Sequence, residues 1–146
     1  MIKHYKGICH VYIDSDADAA MAEEVAFNSK VHRPGVCNAA ETLLINKAAA
    51  DDILPSLGKR LDEAGVVLRG DAPTQAILSA SGISVTAATE LDWDEEYLDL
   101  ILSIKVVADT CEAIDHINNH GSGHTEAIVT NNADTAKRFQ TCLLYT

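Results

Sequence analysis

The sequence predicts a three-layer α/β domain, a mostly parallel sheet flanked by helices, and three observations carry the prediction. Short β-rich runs alternate with helical runs from residue 9 to the end. No internal repeat or low-complexity linker interrupts the alternation, so the 146 residues read as one domain. Apolar residues make up 47%, ordinary for a globular chain and too many for a disordered one.

The elements follow in order. "CHVYID" (9–14) is a short β-rich run. In "DSDADAAMAEEVAFNSKV" (14–31) an N-cap cluster leads into Ala17, Met21, Val25 and Ala26 at helical spacing. A Pro34-Gly35 turn delivers the buried strand "TLLIN" (42–46). "AAADDILPSLGKRLDEAG" (48–65) sets Ile53, Leu54, Leu57 and Leu61 on one helical face and stops at Gly65. Pro55 either lies near the first turn of that helix or bends it. "VVLRG" (66–70) is a strand, "PTQAILSA" (73–80) a short helix, and 81–99 is loop-rich, ending in "DWDEEYLD". "LILSIKVV" (100–107) is the most strand-like run. The next helix caps at Asp109, places Cys111, Ile114 and Ile117 on one face, and stops at Gly121. "HTEAIVT" (124–130) is a further strand, and Asn131 caps the last helix.

Charge and cysteine usage restrict the function classes. Twenty-two acids against 11 Lys and Arg give a net charge of −11, a field that repels nucleic acid and anionic membranes. Any anionic substrate must therefore be drawn in by a local site. No apolar run approaches the roughly 18 residues of a membrane span. The start, "MIKHYKGICHVYID", lacks a signal-peptide pattern. Cys9, Cys37, Cys111 and Cys142 are far apart and form no CxxC, which reads as free thiols in a reduced, cytoplasmic setting. Neither GxGxxG nor GxxxxGK[ST] occurs.

Four constellations carry candidate chemistry, each beside a plainer reading. Cys37, delivered by the turn in "VHRPGVCNAAETLLI" (31–45), is either a small buried hydrophobe or a nucleophile. Small neighbours (Gly35, Ala39, Ala40) would admit a substrate carbonyl, and backbone N–H groups near Cys37 and Asn38 would stabilise its oxyanion. His116, His120 and His124 recur every four residues like metal ligands on a helix, but Gly121 and Gly123 break that alignment, and no metal is expected. "DWDEEYLD" is a solvated loop with Trp93 and Tyr97 against the core, or it holds a carboxylate for sugar hydroxyls. "GSGHTEAIV" (121–129) is a helix C-cap or a loop for a small anion.

Taken together, "KGICHVYIDSDAD", "RPGVCNAAETLLI", "EEYLDLILSIKVV", "AIDHI" and "GSGHTEAIVT" resemble the gamma-glutamyl phosphate reductase family of the aldehyde dehydrogenase superfamily. The resemblance covers nearly all of residues 3–140, in the family's order. It implies an aldehyde dehydrogenase-like catalytic domain and a role in proline biosynthesis. It also implies NADPH-dependent reduction of L-glutamyl 5-phosphate to L-glutamate 5-semialdehyde and phosphate through a cysteine thioester. Cys37 matches the family's nucleophile, with Asn38 beside the oxyanion. Glu96 falls where a carboxylate meets the nicotinamide ribose, and Ser122, His124 and Thr125 fall in the substrate-pocket motif.

Relative to that family the chain is expected to be a catalytic-domain fragment, without the upstream NADP-binding domain or the C-terminal segment. The tail "TCLLYT" does not match the family's continuation. An open sheet edge is expected to favour a homo-oligomer. The alternative is a non-catalytic α/β module, derived from the enzyme, that serves assembly or binding.

Overall fold

The computed structural model describes residues 6–143. The first residues of the 3–140 resemblance and the end of "TCLLYT" lie outside that range. Six strands, β1 (Cys9–Ile13), β2 (Ala40–Asn46), β3 (Val67–Gly70), β4 (Thr86–Ala87), β5 (Ile101–Val107) and β6 (Glu126–Val129), form one sheet in the order β4-β3-β5-β2-β1-β6. Every pairing in it is parallel.

Strand periodicity explains the three layers. Val11, Ile13, Leu43 and Ile45 face α1 (Ala19–Val31), α2 (Lys47–Glu63) and α3 (Ala72–Ala80) in one apolar cluster. Their neighbours Tyr12 and Leu44 point the other way, into a second cluster with α4 (Thr110–His120) and α5 (Ala133–Leu143). With both faces covered, β1 and β2 are buried along their whole length, and for that reason they read as apolar runs rather than as alternating ones.

The helices keep to the expected segments with corrections at four places, the first being α1, which begins after its Asp18 cap and leaves Ala17 outside the helix. On α1 the buried residues are Ala22, Ala26 and Lys30, whereas Met21 and Val25 are exposed. The alanines let α1 lie close against its neighbours, and Arg60 of α2 covers Phe27 at 4.3 Å while bonding Glu23 and Glu24. Pro55 lies in the interior of α2, not in its first turn. Cys111 is exposed on α4, which buries Ala113, Ile114, His116 and Ile117; its sulfur instead accepts a hydrogen bond from Arg138 at 2.7 Å. Asn132, not Asn131, caps α5, its Oδ1 accepting the Thr135 N–H at 3.0 Å. The expected stops hold, Gly65 ending α2 with a left-handed φ of 84°.

A wholly parallel sheet collects all its strand entries on one edge. The segments that enter β5, β2, β1 and β6, which are neighbours in the sheet, therefore lie side by side. Those segments carry Glu96, Cys37, Gly7 and Ser122 respectively.

The α2 face is the centre of the larger core, and Leu54 is wholly buried in it. Leu54→Ala is expected to lower the free energy of unfolding by about 3 kcal/mol in urea titrations.

Candidate active site

Cys37 and Asn38 are the central residues of a turn closed by the Ala39 N–H on the Val36 carbonyl at 3.1 Å. Both are exposed, and neither of their backbone N–H groups has a hydrogen-bond partner among the described residues. Two unspent donors thus flank an accessible thiol. The packing reading belongs to another cysteine: Cys9 is the buried one, with 3% of its surface exposed.

Cys9 connects the two loops that the sequence singled out. Its thiol donates to the Cys37 carbonyl at 3.3 Å, and its sulfur lies 3.7 Å from His124 Nδ1. Burial first, then the nearby Glu126 carboxylate, pushes the Cys9 thiol up to about 11, so it stays a proton donor at neutral pH. His124 Nδ1 in turn sits 2.7 Å from Thr125 Oγ1. Ser122 is anchored by its Oγ, which accepts the Ile8 N–H at 3.0 Å. Ser122, His124 and Thr125 are therefore tied to the start of β1, next to the Cys37 turn.

Glu96 reaches the same place across a glycine. A Cβ on buried Gly7 would run into the Cys37 carbonyl oxygen and would lie 3.1 Å from Glu96 Oε1. Only a residue without a side chain lets the turn and the carboxylate approach the backbone together. Within the acidic loop, Trp93 is buried, while the Tyr97 hydroxyl meets Ser103 at 2.7 Å and Asp92 at 3.0 Å. The packing reading of this loop thus holds for Trp93 and Tyr97.

A buried ion pair fixes the frame. Lys30, at the end of α1, faces Glu41, at the start of β2, at 3.4 Å, and both side chains are almost wholly buried. Burial pulls the lysine pKa down and the glutamate pKa up, and each partner's charge opposes the shift in the other. Glu41 also accepts the Tyr97 N–H at 2.8 Å, so one carboxylate holds both the Cys37 loop and the segment bearing Glu96.

The histidines divide differently. His116 and His120 have rings 4.5 Å apart on α4, whereas His124 lies past Gly123, whose φ is 71°. His116 packs edge-on against His10 and Trp93. Burial, with His10, Lys105 and His120 nearby, drives its pKa down from 6.5 to about 3. It is a neutral core ring at physiological pH.

Gly7, Cys9, Lys30 and Glu41 belong to the site although sequence reasoning does not single them out. The latter two carry a signal: Lys30 continues the Ala22–Ala26 stripe at four-residue spacing, and Glu41 is a lone charge inside the apolar run that becomes β2.

The three-layer domain with its parallel sheet has the fold of aldehyde dehydrogenase domains. A betaine aldehyde dehydrogenase from Staphylococcus aureus, solved with NAD+, superimposes with a TM-score of 0.63 at 16% identity, covering 94% of this chain and 35% of that one. Within that fold the chain is similar to gamma-glutamyl phosphate reductase. It is 54% identical to the enzyme of Desulfatibacillum aliphaticivorans over 95% of its own length and 32% of the relative's. The crystal structure of gamma-glutamyl phosphate reductase from Thermotoga maritima matches with a TM-score of 0.87 and 43% identity, over 93% of this chain and 32% of that one. The chain thus spans about a third of the length of the curated relatives it matches. No family model matches it.

Two outcomes are expected here. Lys30→Ala leaves Glu41 buried without its counterion and should cost about 3–5 kcal/mol of stability in urea. The deficit should shrink as pH is lowered, because a protonated carboxyl needs no counterion, and a Lys30→Met/Glu41→Leu double variant should recover most of it. For His116, the unfolded ring takes up a proton near 6.5 and the folded one only near about 3, so unfolding is favoured as pH drops between those values. The urea midpoint should fall between about pH 7.5 and about pH 5, and fall less in His116→Gln.

Proposed function

We propose that this chain performs the thiol chemistry of gamma-glutamyl phosphate reductase, as a catalytic domain acting on L-glutamyl 5-phosphate. The observation that carries the reading is the exposed thiol between two free backbone N–H groups. Cys37 attacks the acyl carbonyl, and the N–H groups of the turn receive the developing oxyanion. Collapse of that adduct expels phosphate and leaves a thioester on Cys37. Hydride from a bound nicotinamide, together with a proton from solvent, would reduce the thioester, release L-glutamate 5-semialdehyde and restore the Cys37 thiol. Ser122, His124 and Thr125 border the substrate, and the hydroxyls and imidazole suit a polar amino-acid end.

NADPH is the implied reductant, and when bound it supplies the hydride. The residues here fit one part of it: Glu96 is half-buried, has no ion pair among the described residues, and lies beside the cradle left by Gly7. Its carboxylate would accept hydrogen bonds from ribose hydroxyls. The reading assigns the rest of the cofactor's contacts to a dinucleotide-binding unit such as the relatives' greater length accommodates. It also includes a reducing, cytoplasmic setting, in keeping with four free cysteines and no helix long and apolar enough to cross a membrane among the described residues. Homo-oligomerisation belongs to the same reading, since β6 is an edge strand bordering an open cleft against α5.

The test is phosphate-dependent NADP⁺ reduction with L-glutamate 5-semialdehyde, run with this chain and a dinucleotide-binding domain of a relative. Activity that Cys37→Ser abolishes is expected. In the chain alone, Cys37 should be alkylated by iodoacetamide about ten-fold faster than exposed Cys142, a difference of roughly 1.4 kcal/mol in barrier. Equal rates, with no activity, would instead make the chain a non-catalytic module.

A further inference from the structure

We propose that Arg33, with His32 beside it, forms an anion subsite that seats the charged end of the substrate next to the nucleophile. The inference rests on the reading of Cys37 as the reacting thiol and goes beyond it by naming what recognises the substrate's charge.

A cleft of about 360 Å³ lies between the last turn of α1 and the nucleophile turn. Asn28 and His32 line it from the helix side, and Arg33, Val36 and Asn38 from the turn side. Val36 and Asn38 are the two sequence neighbours of Cys37, so an occupant of this cleft abuts the segment that carries the thiol.

The charge inventory points to Arg33. The chain carries −11, so an anion approaching Cys37 meets a repulsive background unless a local cation offsets it. Three of the four arginines are committed: Arg60 to Glu23 and Glu24, Arg69 to Asp92, and Arg138 to the Cys111 sulfur. Lys30 is buried against Glu41. Arg33 makes no side-chain hydrogen bond or ion pair among the described residues and is exposed on the cleft. A planar guanidinium offers paired donors to two oxygens of one oxyanion, and the Asn28 and Asn38 amides can add a further donor each. The ligand class is an oxyanion, either the phosphoryl group of an acyl phosphate or the carboxylate of its amino-acid end. The competing role, a guanidinium that merely suits the carbonyl end of α1, predicts no effect on what reaches Cys37.

The experiment compares alkylation of Cys37 by anionic iodoacetate and neutral iodoacetamide in the intact chain, read by peptide mass spectrometry. The ratio of the two rates isolates charge recognition, because the iodoacetamide rate alone reports on the nucleophile. Arg33→Gln should lower the ratio about five-fold, the size of one contact-distance charge pair in a water-like medium. Arg33→Lys should keep most of the ratio. Lys59→Gln, which removes the same charge from an exposed position on α2, should leave it unchanged. Inorganic phosphate and glutamate, each added at constant ionic strength, then separate the sources. Whichever slows iodoacetate in the parent chain but not in Arg33→Gln identifies the group the subsite takes. A ratio unmoved by Arg33→Gln, or moved equally by Lys59→Gln, overturns the proposal. A slow iodoacetamide reaction at Cys37 would instead count against the nucleophile itself.

Discussion

Lys30 and Glu41 stand at the two ends of the loop that carries Cys37, and their pairing in the interior is the constraint on which the site depends. A lone ammonium or carboxylate at that depth would be neutralised or would drag water inward. Paired, the two charges make the distance between the end of α1 and the start of β2 costly to change. Glu41 extends the constraint to a third segment through the Tyr97 N–H. The neighbouring Leu98 holds a left-handed φ of 52° without being glycine, a strain of roughly 1–2 kcal/mol, and it persists because the segment before it is pinned. The nucleophile loop and the Glu96 loop are thus positioned by one carboxylate.

The sheet supplies the other half of the arrangement. Cys37, Glu96 and Ser122 are distant in sequence but precede parallel strands β2, β5 and β6, which with β1 form a contiguous run in the sheet, so the topology brings them to one edge. Fine adjustment comes from Cys9 and Gly7, at and just before the start of β1. The contrast between Cys9 and Cys37 shows environment assigning roles to identical chemistry. Burial and a nearby carboxylate keep Cys9 protonated, fit to donate a hydrogen bond and unfit to attack. Cys37 lies in the open, on a turn whose central backbone donors have no partner among the described residues.

Much of this is legible in the amino-acid sequence. The alternation of strand and helix implies the three layers, because apolar runs such as 42–46 fit strands covered on both faces. The α2 face and its glycine stop are legible because periodicity and a left-handed stop act locally. The buried face of α1 departs from the expected one because size outweighs hydrophobicity there: Ala22 and Ala26 fit where Met21 and Val25 do not. Lys30 is hidden for a related reason, since a lysine is expected at the surface unless its partner is known. Strand order is long-range information, so the convergence of Gly7, Cys9 and Glu96 on Cys37 cannot be read from spacing.

The Cys37 turn is anchored at its ends and unfulfilled at its centre, and that combination suits the proposed chemistry. An unpaired N–H in a core would be costly, but on an exposed turn water satisfies it until a substrate oxygen replaces that water. The donors of Cys37 and Asn38 can therefore point outward with little loss of stability, provided that the surrounding chain does not relax to pair them internally. Anchors at Lys30–Glu41 and Cys9 restrain that relaxation on either side of the turn. Stability is concentrated in the frame, where charges and packing are buried, and the reactive groups are left with partners still to be chosen. Under the proposed thiol chemistry, a developing oxyanion meets donors that need no reorganisation, which is the condition under which such donors lower a barrier most.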